Sequence, residues 1–592
     1  MKKVINTKSA MISLIVCFGL VGGVFAVQAK AFPLTVSKPI IEPNQSIIND
    51  NPRPAVFPFD FKDSDLLSNH KDRDPKDCWD LNDHLHNYIN MDTQICPGTY
   101  EYTGSNLMAF IYIMADDITL DCNGATIYSD NTSNNEIGGY GIVIDNEYGP
   151  TGFDNVTIKN CTINNFYVGL FAYNNYTSGV WGPLNNLTIK NINFDQASQY
   201  YSSFRNVNNS TISGITKPQG SENRGMHVLL IRNGSDNNEI YSNTLYANSG
   251  IRIMEESNNN KVFNNSFGHM TSADNHHVAM NIDRGSEYNE VYDNNFTDIP
   301  GATGKSGVAI GLYGHDLGDP AYGAAYFNEI HHNTITDVDI ALHMNHETAN
   351  NSFYENDFDN IHEDAIRMEP HNIGTTWYYP NNNIFSNNLI ANASMRGVYI
   401  INSGINNNKF LLNSFIDNTT QAFDNGTNNI YDQDGKGNRW NDFDEPGEGC
   451  DDMDSNGVCD AAYTNIFGTG GSIDNYPTTG QITIQPIAPI TKNEKDWVIL
   501  YIMATDPEGD ELTYSVDDPR LGSMEGCWPG KDYAFGWKTN AWSSGDYTFT
   551  VTASDGEYET SREVQVHIND TCRYNKWGVM VCSNMPANIT CY

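Results

Sequence analysis

Between residues 238 and 416 one arrangement of apolar and polar positions keeps returning. An apolar residue is followed by two variable residues, an asparagine, one further residue and a second apolar residue. The arrangement fits Ile240/Asn243/Leu245, Val262/Asn265/Phe267, Val291/Asn294/Phe296, Ile330/Asn333/Ile335, Phe353/Asn356/Phe358, Ile384/Asn387/Leu389 and Phe410/Asn413/Phe415. The asparagines lie 22, 29, 39, 23, 31 and 26 residues apart. Two earlier copies, NVTIKNCTI at 155–163 and NLTIKNINF at 186–194, carry Cys161 and Ile192 at the asparagine place. A second apolar pair follows most copies: Ile251/Ile253, Met280/Ile282, Val308/Ile310, Ile340/Leu342, Ile366/Met368 and Val398/Ile400. Strands this short, at a minimum period near 22 residues, predict coils stacked on one another. The fold class is all-β, a right-handed parallel β-helix with equivalent residues ~4.8 Å apart. Longer spacings read as loops inserted in particular coils. Asparagine tolerates the left-handed backbone of a sharp corner, and stacked asparagines can bond along the axis.

The pattern changes at both ends. CWDLNDHLHNYI, from Cys78, has the spacing of a short helix, and ICPGTYEY follows as a turn and strand. Together they predict an N-terminal cap for a solenoid spanning 77–480. At 425–477 the repeats give way to a glycine- and aspartate-rich stretch that reads as the C-terminal edge. Residues 481–570 alternate apolar and polar, which predicts a small β-sandwich. A Cys-containing tail, 571–592, follows. At the other end, 1–29 reads as a secretory signal peptide with a basic start, an apolar middle and small residues at the cleavage point. Residues 30–76, rich in Pro, Asp and Asn, read as a leader or linker. No later stretch is apolar for long enough to span a bilayer as a helix.

Charge narrows the function. The chain carries 73 acidic against 33 basic residues, net −40, and would be repelled by nucleic acid and anionic membrane. Of its 11 cysteines, one lies in the signal segment. The even remainder fits disulfides in an oxidising compartment, so the protein is expected to be secreted or periplasmic. Cys78–Cys96 and Cys450–Cys459 would staple the two ends of the solenoid, while Cys122 and Cys161 either pair or stack.

The repeats, the DDITLDCNGATI opening, and GNRWNDF followed by an acidic loop and IDNYP resemble right-handed parallel β-helix repeat proteins. The NosD-like group, periplasmic proteins linked to copper supply for nitrous-oxide reductase, shares these features. The wider superfamily is the carbohydrate-binding and sugar-hydrolase group, with pectate-lyase-like members, alginate lyases and mannuronan epimerases. Residues 481–570 resemble the cadherin-like or immunoglobulin-like modules of secreted proteins. The resemblance implies the solenoid fold; one solenoid supports many chemistries.

Stacking turns register into a surface. The residues between and just after each inward pair are expected to face out: Arg252, then Asn281 and Asp283, Ala309 and Gly311, Ala341 and His343, Arg367 and Glu369. Arg284 and His371 lie just beyond. Basic residues are scarce here, yet several fall in this register, over about five coils or ~20–25 Å. That length suits a groove for an extended sugar chain. Arg252, Asp283, Arg284, His343, Arg367, Glu369 and His371 are therefore the candidate catalytic residues. Arginine would neutralise a uronate carboxylate, and histidine or another base would take the C5 proton. Paired acids would instead serve hydrolysis.

Two metals have candidate ligands. CDDMDSNGVCD at 450–460 places Asp452, Asp454, Asn456 and Asp460 at positions 1, 3, 5 and 9 of a calcium-type loop. Gly457 supplies the turn and Val458 a carbonyl; Tyr463 stands where an EF-hand has its bidentate glutamate. Calcium, in a structural role, is the expected cofactor. Copper is the alternative, through His276, His277, His331, His332, His343, His346 and Met254, Met280, Met344, Met368. Three functions follow. The first is binding and processing of an extracellular polysaccharide by lyase or epimerase chemistry. The second is non-catalytic glycan binding at a surface, and the third is a copper accessory role. Expected partners are polysaccharide or cell-surface glycan, without nucleic acid or membrane insertion.

Overall fold

The computed structural model describes residues 78–582 apart from 84–86, 104–108, 131–138, 146–152, 174–182, 219–226, 248, 269–277, 302–304, 315–322, 454–456, 480–481, 506–511, 525–532, 555–558 and 575–579. The expected signal and leader segments, His276, His277, Asp454 and Asn456 lie outside the described residues. No described helix is long and apolar enough to cross a membrane.

Each coil contributes three short strands. Ile251–Ile253 and its counterparts pair in parallel into a thirteen-stranded sheet running from Asn87–Ile89 to Ala422–Asp424. We call this the front sheet. The other two strands of a coil, such as Glu239–Tyr241 and Thr244–Leu245, pair in parallel with the equivalent strands above and below. The chain is a right-handed parallel β-helix, as the repeat pattern predicts. Its interior is built from like on like. Phe267 stacks on Phe296 at 4.5 Å, Phe353 on Phe385 and Phe385 on Phe410 at 4.7 Å, and Phe415 on Trp440 at 4.3 Å.

The asparagines form ladders. Oδ1 of Asn294 accepts the Asn265 backbone N–H at 3.0 Å and its Nδ2 at 2.9 Å. Nδ2 of Asn294 donates to the Val262 carbonyl at 2.8 Å and to Asn333 Oδ1 at 3.0 Å. The same exchange repeats from Asn243 through Asn438. The left-handed corner, however, is the residue before each ladder asparagine. Ser242, Asn264, Asp293, His332, Glu355, Asn387 and Leu412 all have φ between 53° and 56°. A second ladder runs through Asn238, Asn260, Asn289, Asn328, Asn351, Asn383, Asn408 and Asn429. It lies two positions before each inward residue, an offset present in the sequence but hidden among many other asparagines.

Three expectations need correction. In the sixth repeat the inward set is Phe385, Asn388 and Ile390, not Ile384, Asn387 and Leu389. Consecutive apolar residues and consecutive asparagines left the register open by one, and a slip of one turns every side chain over. Ile310/Leu312 and Leu342/Met344 are the true partners of Ile251/Ile253. Ala309 and Ala341 are therefore core residues, fully buried, and do not face out. The expected N-terminal helix is a single 3₁₀ turn at Leu81–Asp83 followed by the strand Asn87–Ile89. Trp79 Nε1 donates to Asn87 Oδ1 at 3.0 Å, holding the strand as the first rung of the front sheet.

Carboxylates end both ladders. Asp474 Oδ2 stands where the next asparagine would, accepting the Asn438 N–H at 2.7 Å and Trp440 Nε1 at 3.0 Å. Asp424 accepts Asn429 Nδ2 at 3.0 Å. Disulfides join Cys78–Cys96, Cys122–Cys161 and Cys450–Cys459. Beyond residue 481, a four-stranded and a three-stranded sheet enclose a separate core around Leu500, Phe549, Val551 and Val564.

Burial pushes the Asp474 carboxyl up to about 6, against the bonds it accepts from Asn438, Trp440 and Tyr476. A carboxyl raised in the folded state contributes stability that is complete below its unfolded pKa and is lost as pH rises through about 6. Asp474→Asn keeps an acceptor in place and cannot ionise. Thermal unfolding at pH 5 and pH 8 should show a smaller fall with rising pH in this variant than in the parent. Equal falls in the two proteins would contradict the assignment.

Candidate functional site

Strand register aligns the outward residues of the front sheet. Leu230, Arg252, Asn281, Gly311, His343, Arg367, Tyr399 and Phe423 are successive partners on neighbouring strands. A second column follows at the strand ends. The backbone N–H groups of Asp283, Tyr313 and Glu369 donate to Ile253, Ile282 and Met344 of the preceding coil. The two columns place the following groups side by side.

Arg252 Nε donates to Asp283 Oδ2 at 2.9 Å, and Asn281 Nδ2 donates to the same oxygen at 3.1 Å. The Tyr313 hydroxyl lies 3.1 Å from His343 Nδ1. His343 Nε2 lies 3.6 Å from Glu369 Oε2. Gly311 makes this possible: a Cβ there would meet the Tyr313 ring at 2.7 Å, so the ring crosses the column where a side chain is missing. One coil further, Arg367 donates to Asp364 and Glu363, each at 2.7 Å. Arg396 donates to Asp364 Oδ1 at 2.6 Å, with its guanidinium carbon 3.3 Å from the Tyr399 ring centroid. Ser306 Oγ donates to Glu363 at 2.8 Å.

These contacts set the charge states. Burial raises the Tyr313 hydroxyl above the ordinary phenol range; Asp283 and Glu369 add to the rise and Arg252 opposes it. The nearby His343 ring and Arg367 hold Glu369 below the usual carboxylate range despite its burial. Glu369 is therefore ionised at neutral pH. A hydroxyl that donates to Nδ1 requires that nitrogen to be unprotonated, which in a neutral ring leaves the His343 proton on Nε2, the atom nearer Glu369. Each of the three arginines has carboxylate partners. Arg252, Arg367 and Arg396 pair with Asp283, Glu363 and Asp364, and Glu369 lies beside His343, so anionic groups outnumber guanidiniums in this cluster.

Five of the seven expected residues thus meet in one continuous set: Arg252, Asp283, His343, Arg367 and Glu369. Arg284 turns away at a left-handed corner, φ 49°, and donates to Glu255 Oε1 at 3.0 Å beside Arg232. His371 starts the hairpin His371–Ile373/Thr376–Tyr378, and its ring stacks on that of His346 at 3.8 Å. Tyr313 and Arg396 were missed. Tyr313 follows the inward Leu312, and the sequence marks it only by Gly311 two residues earlier. Arg396 opens its strand three residues before Tyr399, outside the expected outward positions.

The copper candidates are spread apart. Met280, Met344 and Met368 are fully buried in the core. His331 and His332 pair with Glu290 and Glu355 on another face. In the acidic loop, Asp452 Oδ2 accepts the Gly457 N–H at 2.7 Å, Asp460 Oδ2 accepts the Met453 N–H at 3.1 Å, and Val458 bridges to Thr478. Among the described residues no group of three or more His, Cys, Asp or Glu is arranged to hold a metal ion.

No family model and no curated protein matches the chain. Among solved structures it is similar to the Azotobacter vinelandii mannuronan C-5 epimerase AlgE6 A-module, at 13% identity and TM-score 0.42, covering 57% of this chain and 89% of that one. It is similar to a tailspike protein mutant of E. coli bacteriophage HK620 in complex with pentasaccharide, at 11% identity and TM-score 0.38, covering 80% and 86%. It is also similar to PfbA, a surface adhesin of Streptococcus pneumoniae, at 11% identity and TM-score 0.37, covering 57% and 82%. The fold rests on the strand register described above.

Proposed function

We propose that the outer face of the front sheet binds an extended extracellular polysaccharide and carries out proton transfer at a sugar carbon, giving lyase or epimerase chemistry. The observation that carries this reading is the relay Tyr313–His343–Glu369, set in register between Arg252 and Arg367. Glu369 orients His343 and stabilises its cation. In one concerted step the Tyr313 oxygen takes the C5 proton beside a uronate carboxylate as its own proton passes to His343 Nδ1, so no free phenolate forms. The electron pair passes into the carboxylate. It returns either by expelling the C4 oxygen, which leaves with the proton that Tyr313 took from C5 (elimination), or by taking a proton from solvent water at the opposite face of C5 (epimerisation). Arg252 and Arg367 flank the developing charge. The three disulfides suit an oxidising compartment outside the cytoplasm. Incubation with uronate-containing polymers, read by ultraviolet absorbance of unsaturated ends and by NMR of C5 configuration, tests the reading. A polymer left unchanged in both readouts, across alginate, pectate and glucuronate-containing chains, would sink it.

We also propose that calcium binds the loop through Asp452, Asp454, Asn456, the Val458 carbonyl and Asp460. This loop is closed by Cys450–Cys459 next to the ladder ends. Millimolar calcium should raise the thermal midpoint over that in a chelator, and Asp452→Ala should abolish the difference. An unchanged midpoint with calcium would contradict the proposal.

A further inference from the structure

The outward column does not stop at the charged cluster. Beyond Arg367 it continues through Tyr399 and Phe423, and Phe423 pairs in parallel with Phe467. Three successive coils therefore present aromatic rings in line with the relay, at steps of ~4.8 Å. Tyr399 and Phe423 meet edge to face at 5.5 Å, and Arg396 covers one face of Tyr399. Phe467 is the open ring, 58% exposed. It borders a cleft lined also by Asp417, Thr419, Thr420, Gln421 and Asp442.

The chemistry of this cleft differs from that of the relay. Its lining includes two carboxylates and no lysine or arginine. The Asp442 carboxylate accepts the Tyr463 hydroxyl at 3.1 Å and the Asp417 carboxylate accepts Asn441 Nδ2 at 2.7 Å, which fixes both as acceptors. Thr419 is exposed and Thr420 half-buried on the same rim. An apolar ring face beside convergent hydroxyl, amide and carboxylate groups suits the C–H face and hydroxyl edge of an uncharged pyranose. A uronate would meet like charge there with no guanidinium in the lining to receive it, unlike at Arg252 and Arg367.

We propose that the coils at Tyr399, Phe423 and Phe467, with the cleft at Asp417–Gln421 and Asp442, form a binding site for neutral sugar residues of the polymer whose acidic residue lies at Tyr313–His343. The substrate is then a heteropolysaccharide, with a uronate at the relay and neutral residues toward the C-terminal edge. This rests on the function proposed above, and its test separates the two.

Binding of neutral hexasaccharides (cellohexaose, laminarihexaose, mannohexaose) and of hexagalacturonate would be measured by calorimetry on the full chain, for the parent, Phe467→Ala and Tyr313→Phe. At least one neutral hexasaccharide should bind, about tenfold more weakly to Phe467→Ala and equally well to Tyr313→Phe. Phe467→Leu should restore only part of the affinity, since it fills space without offering a ring face. Neutral sugars that do not bind, or that bind Phe467→Ala as well as the parent, would overturn the inference. Turnover of a uronate polymer lost in Tyr313→Phe would in that case still stand as evidence for the relay. Retained neutral binding without turnover of any polymer would support this site and remove the proposed chemistry.

Discussion

Tyr313→Phe and His343→Ala should each lower turnover of the substrate polymer by on the order of 10²–10⁴-fold, the contribution of a positioned proton-transfer group. The phenylalanine variant is the sharper of the two. It keeps the ring that occupies the space over Gly311 and removes only the hydroxyl that lies 3.1 Å from His343. Its fold and its affinity for the polymer should therefore be retained, so that kcat falls while KM changes little. Glu369→Gln should fall between, because it removes the charge facing His343 Nε2 without removing an acid or a base. His371→Ala is the contrast. Its ring stacks on His346, outside the relay, and its loss should change turnover by less than about twofold. Equal losses in His371→Ala and His343→Ala would show that damage to the surrounding structure, and not proton transfer, is being measured.

The second large effect concerns the scaffold. Asn294→Ala should destabilise the solenoid by about 3–5 kcal/mol, since several buried groups lose a partner at once and each costs about 1–3 kcal/mol. The Asn265 N–H and Nδ2 lose their shared acceptor, and the Val262 carbonyl loses a donor. Asn294→Asp should be nearly as damaging, because it restores the acceptor, removes both donors and places a charge at a site that is 2% exposed. The neighbouring position behaves in the opposite way. Leu412 holds φ 56° at a corner with its side chain 38% exposed. Asn there tolerates the left-handed backbone, so Leu412→Asn should stabilise by up to ~1 kcal/mol. Chemical denaturation of the three variants checks the contrast. Similar, small effects at both positions would mean that the ladder does not hold the coils together.

That contrast also shows how far the sequence could be read. The period, the stacked asparagines and the inward pairs were legible because each repeats along the chain. Asn243 was expected at the corner, yet the corner is Ser242, and asparagine keeps its place because its Nδ2 donates to the Ile212 carbonyl and Asn265 Oδ1 while its Oδ1 accepts the Ile215 N–H. The slip at Ile384 arose where two apolar residues and two asparagines are adjacent, so period alone could not choose. The site was half legible. Arg252, Asp283, His343, Arg367 and Glu369 fall on the predicted face. Tyr313 does not declare itself, because what brings its ring over the column is the missing side chain at Gly311. The partners of the arginines were equally hidden: Asp364 meets both Arg367 and Arg396 because Asp364 and Arg396 are register partners at the starts of neighbouring strands.

The front face is proposed to transfer a proton on a bound sugar. NMR of a uronate-containing heteropolysaccharide, incubated in deuterated water with the parent protein or with Tyr313→Phe, tests it most directly. Deuterium at C5 or unsaturated ends should appear with the parent and neither with the variant. A polymer unchanged by the parent, or changed equally by the variant, would contradict it.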